Sequence, residues 1–408
     1  MSCDALPDAP GIVMVTEPQE FCADDLAAVT ATIRVNGDEH SMRYSVLRES
    51  SSVGSDIVPL MLSTRSDVFV PLALLVALRV GQPLQLSGPV SARLLAQIPR
   101  IEDVWHAWRD FPRVPVTASS ETPTILNSSR GVACFFSGGI DSYYTLLKHR
   151  DEITHLIFVS GLDIRLDDRS LHDKVVTVLR DAAAEFGKQF LEVKTNARQC
   201  CDKFYPWGEA NGAALASVAL LLSPILRKVY IAGTGTYATL LPSGTHPLLD
   251  PLWSTEETEI LSDGYEATRF EKCKEIVRCA TAVRTLRVCW TNTNGAYNCG
   301  KCFKCLQAMA MLRALGAFSA ARTFDTSLNL RALARECAPS YKARSLAPLL
   351  QRSMYLMLEH VEREGRDSAL ASALRDCIRD KYHRGVWLLL NPIARIVRRL
   401  CRIFSVRR

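Results

Sequence analysis

The chain has no stretch that reads as a membrane span. Its most apolar runs, Val68–Val80 and Ala216–Leu226, are too short to cross a bilayer and read as buried helices. The opening residues, Met1–Val15, lack a basic segment followed by a long apolar core, so no secretory signal is expected. Internal repeats and long low-complexity segments are missing as well. Charge of one sign is in modest excess: the net charge is +6, much of it at the C-terminus, and does not by itself imply nucleic acid. The Walker phosphate loop, Gly-x-x-x-x-Gly-Lys-[Ser/Thr], is absent, which argues against the usual γ-phosphate transferase. Cysteine, in contrast, is abundant, with 14 residues scattered except for one cluster near residue 300. Without a secretory signal the thiols should be reduced, so the cluster favours metal over disulfides and a cytoplasmic location is the default.

At 408 residues the chain has room for two or three domains. Residues 1–125 read as a small α+β accessory domain, suited to shaping a substrate site or forming a homo-oligomer. It carries a hairpin signal around Asn36-Gly37, an apolar helix over Val68–Val80 ending at Gly81, and helical spacing over Ser91–Phe111. A linker rich in Pro, Ser and Thr follows over Pro112–Gly131. Residues 126–325 then alternate. Strands are expected at Val132–Phe136, Thr154–Ser160, Gln189–Val193 and Lys228–Ala232, with helices at Tyr143–His149, Leu171–Phe186 and Ala210–Leu222. That alternation predicts an α/β fold with a doubly wound parallel sheet, whose ligands bind at the carboxyl ends of the strands. Residues 326–408 form a helical extension.

Between the first of these strands and its helix lies Ser137-Gly138-Gly139-Ile140-Asp141-Ser142. The two glycines permit a tight turn and close approach of a ligand to the backbone, and successive N–H groups at a helix start make an anion nest. Ser137 and Ser142 add hydroxyl donors. Asp141 fits if Mg²⁺ accompanies the bound phosphates. The segment resembles the PP-loop, Ser-Gly-Gly-x-Asp-Ser, of the adenine-nucleotide alpha-hydrolase superfamily. The resemblance implies an ATP pyrophosphatase that grips the β,γ-pyrophosphate, lets an acceptor attack the α-phosphorus, and releases AMP to a nucleophile, with Ser137, Asp141 and Ser142 as candidate catalytic residues. It also implies that the edge after the second strand, Ser160-Gly161-Leu162-Asp163, holds adenine largely through backbone.

Cys289, Cys299, Cys302 and Cys305 have spacings that let four thiolates converge on one tetrahedral ion, with Lys301 and Lys304 offsetting the charge of a zinc centre. A closed four-thiolate site points to structure rather than catalysis. An iron–sulfur cluster or a redox Cys-x-x-Cys pair are the rivals, and Cys273 and Cys279 are alternatives to Cys289. Placed after the phosphate loop, Cys…Cys-Gly-x-Cys-x-x-Cys looks like the zinc site of 7-cyano-7-deazaguanine synthase, over residues 131–318. The first cysteine spacing is longer than in that enzyme, both ends of the chain carry extra segments, and no stretch matches its purine-carboxylate pocket. The resemblance thus implies an adenylating ligase with another substrate, a small molecule or peptide, working with a partner protein from the same gene set. A tRNA-modifying thiolase or lysidine-type enzyme, and a zinc-stabilised nucleotide-binding subunit without catalysis, are the alternatives.

Other segments carry candidates with two readings each. Gly233-Thr234-Gly235 is a nucleotide contact or a plain turn. His246 and Asp250, in a loop pinned by prolines, orient substrate or move protons, or are structural. Arg269 and Lys272 meet phosphate charge or form a solvated face. Cys200-Cys201 is a thiol pair for sulfur transfer or two ordinary reduced cysteines. The basic amphipathic tail Lys381–Arg408 lies on an anionic membrane, contacts tRNA or packs on the body.

Overall fold

The computed structural model describes residues 11–23, 26–47, 61–122, 130–337 and 347–378. The tail over 381–408 lies outside them. Among the described residues no helix is long and apolar enough to cross a membrane.

Eleven strands form one mixed sheet in an α/β architecture. They are β1 (Val13–Val15), β2 (Gln19–Ala23), β3 (Leu26–Val35), β4 (Asp38–Leu47), β5 (Leu84–Ser91), β6 (Val116–Glu121), β7 (Gly131–Phe135), β8 (His155–Ser160), β9 (Gln189–Thr195), β10 (Leu226–Ala232) and β11 (Glu259–Asp263). Their spatial order is β11-β10-β7-β8-β9-β4-β3-β1-β5-β6, with β2 paired to β3. The five strands β11-β10-β7-β8-β9 are mutually parallel, as the strand–helix alternation predicts. The whole sheet is not. β4 pairs antiparallel to β9, with Tyr44 opposite Thr195 and Val46 opposite Val193, so the strands of the N-terminal segment continue the same sheet. Asn196 secures that joint by accepting from Arg43 N at 2.8 Å and donating to Ser41 O at 2.8 Å. Two further departures concern strands. The stretch read as linker contains β6, parallel to β5 at the sheet edge, and β11 adds an outer parallel strand beyond β10. Both are short and polar on one side, so their composition resembles that of loops.

Alternation along β7 shows why the parallel half takes helices on both faces. Val132, Cys134 and Phe136 enter one core; Ala133 and Phe135 enter the other. The second core is covered by Val70–Val80 and by Trp207–Leu221, a helix buried nearly all round and apolar to match. The first is covered by Ile140–Lys148, Arg169–Glu185, Arg269–Ile276 and Phe303–Ala314, with Ala347–Glu364 and Ser368–Ile378 packed beyond them.

β7 is the topological switch point. The chain leaves it for β8 and β9 on one side, then crosses back through Trp207–Leu221 to β10 on the other. Loops diverge at the carboxyl end of such a strand and leave a crevice there. The wall of the crevice at β8 is built tightly. Gly161 has φ of +97°, donates N–H to Ile164 O at 2.9 Å, and lies so close to β9 that a Cβ would sit 1.9 Å from Thr195 O. Gly161→Ala should therefore destabilise the protein by about 2 kcal/mol or more. A thermal melt reads this directly, and an unchanged Tm would mean that the β8–β9 corner is looser than described.

Candidate functional site

At the carboxyl end of β7 the chain turns through Ser137, Gly138 and Gly139 into the helix Ile140–Lys148. Gly138 adopts φ of +73°, and its carbonyl accepts from Arg287 N at 2.8 Å, which ties the loop to the segment before Cys289. Gly139 is the N-cap and no side chain caps the helix, so its first N–H groups face the crevice with the positive end of the helix dipole behind them. Ser142 Oγ donates to Gly139 O at 3.1 Å.

Asp141 is engaged by two cations. Its Oδ2 lies 2.8 Å from an Arg269 guanidinium nitrogen and its Oδ1 lies 3.0 Å from Lys272 Nζ. Burial alone would raise the carboxyl's pKa, but the charges of Arg269 and Lys272 and their hydrogen bonds hold it well below the usual carboxylate range. Lys272 is 0% exposed and also donates to Gly233 O at 2.5 Å. The helix Arg269–Ile276 is placed for this by a capping box, in which Thr268 Oγ1 accepts from Glu271 N and the Glu271 carboxylate accepts from Thr268 N.

Two adjoining cavities open on this loop. The first, about 90 Å³, is lined by Ser137, Asp141 and Ser142 on one side and by Arg287, Lys304 and Gln307 on the other. Arg287 is 3% exposed and Gln307 1%, and neither Arg287 Nε nor Gln307 Nε2 has an acceptor. Two buried donors without acceptors at a cavity wall are costly unless a ligand or water supplies lone pairs. Lys304 sits 5.2 Å from the Trp290 ring centroid, and burial, with the charge of Arg269, pushes its ammonium pKa down. The second cavity, about 210 Å³, shares Ser137, Asp141, Arg269 and Lys304 with the first. Its far walls are apolar: Phe158 and Leu162 at the β8 side, Ile231 and Leu215 at the β10 side. Asp163 lines both cavities. The joined cleft suits a ligand with an anionic end and a flat, weakly polar body.

The polar wall is carried by the cysteine loop. Cys289, Cys299, Cys302 and Cys305 place their sulfurs within 4.8 Å of one another, a group able to hold a metal ion such as zinc. The Cys299–Cys305 sulfur separation is 3.9 Å, close to the edge of about 3.8 Å expected of a tetrahedron with Zn–S bonds of about 2.3 Å. Cys302 N donates to the Cys299 sulfur at 3.3 Å. Asn298 ties the two arms together: its Oδ1 accepts from Val288 N at 2.9 Å and Cys289 N at 3.2 Å, and its Nδ2 donates to Leu286 O at 2.8 Å. Cys273, buried in the core below Arg269–Ile276, and Cys279 stay outside the cluster. Cys200 and Cys201 lie at the β4 side of the sheet, where burial pushes both thiols up in pKa.

The structure thus brings together Ser137, Gly139, Ile140, Asp141, Ser142 and Arg269 at the cavities, with Lys272 directly behind Asp141, while Gly138 lines neither cavity and holds the loop to Arg287 N. Thr234 lines the apolar cavity, while Gly235 sits in the adjacent bend. Gly161 and Gly233 serve packing; a Cβ on Gly233 would lie 2.2 Å from the Tyr265 ring. His246 and Asp250 line neither cavity. His246 is buried 4.8 Å from the Trp108 ring and accepts from Leu248 N at Nδ1. Asp250 is fully buried, accepting from Ser262 Oγ at 2.5 Å and His246 N at 3.2 Å. Sequence reasoning passed over Arg287, Gln307 and Trp290 as site residues and gave Lys304 only to the metal. The available signal was adjacency: each is one or two positions from a metal-spaced cysteine. Among known proteins, no family model, no curated protein and no solved structure matches the chain.

Two measurements test this geometry. Elemental analysis should find one equivalent of thiolate-bound metal per chain, lost in Cys302→Ser together with several degrees of Tm; metal-free protein with an unchanged melt would remove the centre. Burial also raises the Asp250 carboxyl to about 7, with the Ser262 and His246 hydrogen bonds opposing. A raised acid keeps its proton in the folded chain after the unfolded chain has lost it at about pH 3.9, so stability falls as pH rises from there to about 7 and levels off above. Asp250→Asn keeps the bond from His246 N at its oxygen, donates its amide to Ser262 Oγ in place of accepting, and should remove that slope; parallel pH–stability curves for the two proteins would show that Asp250 is not the source.

Proposed function

We propose that the cleft at the end of β7 binds ATP and that the protein is an ATP pyrophosphatase of the PP-loop type, resembling the 7-cyano-7-deazaguanine-synthase-like adenylating ligases in its Ser137–Ser142 loop and cysteine spacing. The observation that carries this reading is the pair of buried donors without acceptors, Arg287 Nε and Gln307 Nε2, facing an uncapped helix N-terminus next to an apolar slot. A polyphosphate supplies the missing lone pairs, and the slot accepts a purine. The order of strands supports it too, because β7 is the switch point and β8 and β10 flank it in the parallel half of the sheet.

In this reading the β- and γ-phosphates lie over the loop N–H groups, met by Arg287, Gln307 and Lys304. Adenine enters between Phe158 and Leu162 on one side and Ile231 on the other. A Mg²⁺ ion accompanying ATP would be held by a carboxylate of the cleft and would supply charge that offsets the pyrophosphate leaving group. Of the two carboxylates lining the cleft, Asp141 is already paired with Arg269 and Lys272, whereas Asp163 is exposed and, among the described residues, forms no salt bridge, with Lys304 the cation that attracts it across the cleft. Asp163 is the better fit for the ion, and the task of Asp141 is to fix Arg269 at the cavity wall. An oxygen of the acceptor, carboxylate or amide, attacks the α-phosphorus as the bond to pyrophosphate breaks. Ammonia, an amine or a thiol then displaces AMP. The four thiolates would hold a zinc ion that keeps the polar wall in place and, closed around it, would take no part in bond making.

The geometry decides which variant is informative. Asp141→Ala would leave Lys272 buried and unpaired, at a cost of about 3–5 kcal/mol, so lost turnover would be confounded with lost structure. Lys304→Gln removes a cavity cation that, among the described residues, forms no direct salt bridge. Desalted protein with ATP and a cell extract should release AMP and pyrophosphate, and Lys304→Gln should cut this about tenfold or more at an unchanged Tm. Release of ADP and phosphate, or no turnover with any extract, would contradict the reading.

A further inference from the structure

A separate cavity of about 530 Å³ lies beyond the β8–β9 corner, where the N-terminal strands join the parallel half. Its walls come from β4 (Arg43, Ser45), from the end of β9 (Lys194, Asn196) and from the first turn of the helix Arg169–Glu185 (Arg169, His172). Among the described residues neither the Arg43 nor the Arg169 guanidinium has an acidic partner. Lys194 has only a 3.6 Å contact with Glu192. Two acidic groups lie near the cavity, and neither contacts Arg43 or Arg169. Glu192 lies beneath it, taking the Ser160 hydroxyl at 2.9 Å and His172 Nε2 at 2.5 Å. Asp173 sits at the rim on His172 Nδ1 at 2.8 Å. Arg169 is also badly placed for its own helix. A cation in the first turn opposes the dipole, and Asp168 already caps the end by accepting from Leu171 N. A local choice that costs stability and leaves a guanidinium free is expected where a ligand uses it.

The cavity opens at the same edge of the sheet as the nucleotide cleft. The two are separated by the segment that begins at Gly161: Leu162 and Asp163 line the cleft, and Leu166 lines this cavity. β9 is two strands from β7, so the centres are roughly 10 Å apart at strand spacings of about 4.8 Å. We propose that this cavity binds an oxyanion, carboxylate or phosphate, carried by the acceptor substrate, with Arg43 and Arg169 as the groups that recognise it. Forked guanidinium groups favour planar or tetrahedral oxyanions in this way. The pocket stands on its own geometry; its role as the seat of the acceptor rests on the nucleotide reading given above. Recognition by Arg43 also gives the N-terminal strands a task that the parallel half cannot perform.

The test is equilibrium dialysis of the full chain with labelled inorganic phosphate, and separately with malonate, while the nucleotide cleft is saturated with α,β-methylene-ATP. One anion per chain should bind, and the paired substitution Arg43→Gln with Arg169→Gln should weaken it about tenfold or more, leaving Tm and the affinity for α,β-methylene-ATP unchanged. The tighter of the two anions identifies the acid. No uptake of either anion by the parent protein, or equal uptake by the substituted one, would overturn the pocket. If α,β-methylene-ATP fails to bind while anion uptake still depends on the two arginines, the pocket stands and the nucleotide reading falls. Extract-supported AMP release should need about tenfold more extract in the substituted protein at the same ATP affinity; an unchanged requirement would overturn the acceptor assignment.

Discussion

A lysine ammonium cut off from water must be met by charge and by lone pairs, and Lys272 is met by the Asp141 carboxylate and the Gly233 carbonyl. That one contact joins three elements: the helix that follows the phosphate loop, the helix Arg269–Ile276, and the turn after β10. Removing either charge leaves the other buried and unpaired, which costs several kcal/mol, whereas keeping both fixes the loop in one arrangement. Arg269 reaches the opposite carboxylate oxygen and stays at the cavity wall. The site is thus preorganised by an ion cluster that needs no ligand, and the groups left over for a ligand are the backbone N–H groups of the loop, Arg287, Gln307 and Lys304.

Those leftover groups depend on the cysteine cluster in turn. Arg287 precedes Cys289 by two residues, Lys304 lies between Cys302 and Cys305, and Gln307 follows Cys305 by two. Arg287 N is also the donor that holds Gly138 O. A metal bound by the four thiolates would therefore act on the cleft through short covalent reach, without facing the ligand. Loss of such a metal would release the polar wall and loosen the loop together.

Much of this is legible in the sequence. The strands β7 to β10 and their helices follow from apolar runs punctuated by glycine and polar turns, and the Asn36-Gly37 dipeptide marks the β3–β4 hairpin. The loop Ser137–Ser142 and the four cysteines are local patterns whose chemistry is carried by spacing. What stayed hidden is non-local. Nothing in the spelling of β4 says that it pairs with β9, because that register is set by Asn196 reaching back to Arg43 and Ser41. β6 and β11 are edge strands with half-polar composition and read as loop. The pairing of Asp141 with Arg269 and Lys272 spans more than a hundred residues. His246 and Asp250 look chemical in sequence because they share a loop with prolines; in the fold His246 accepts from Leu248 within that loop, and Asp250 ties the loop to β11 through Ser262.

The central claim is that the donors facing the Ser137–Ser142 loop form one polyphosphate site. Titration calorimetry with ATP and with pyrophosphate tests it most directly. The account predicts that both bind at a single shared site, that each competes with the other, and that AMP, which lacks the pyrophosphate end, binds far more weakly. No binding of pyrophosphate, or equal binding of AMP and ATP, would contradict it, because the buried donors of Arg287 and Gln307 would then have no part in what the cleft holds.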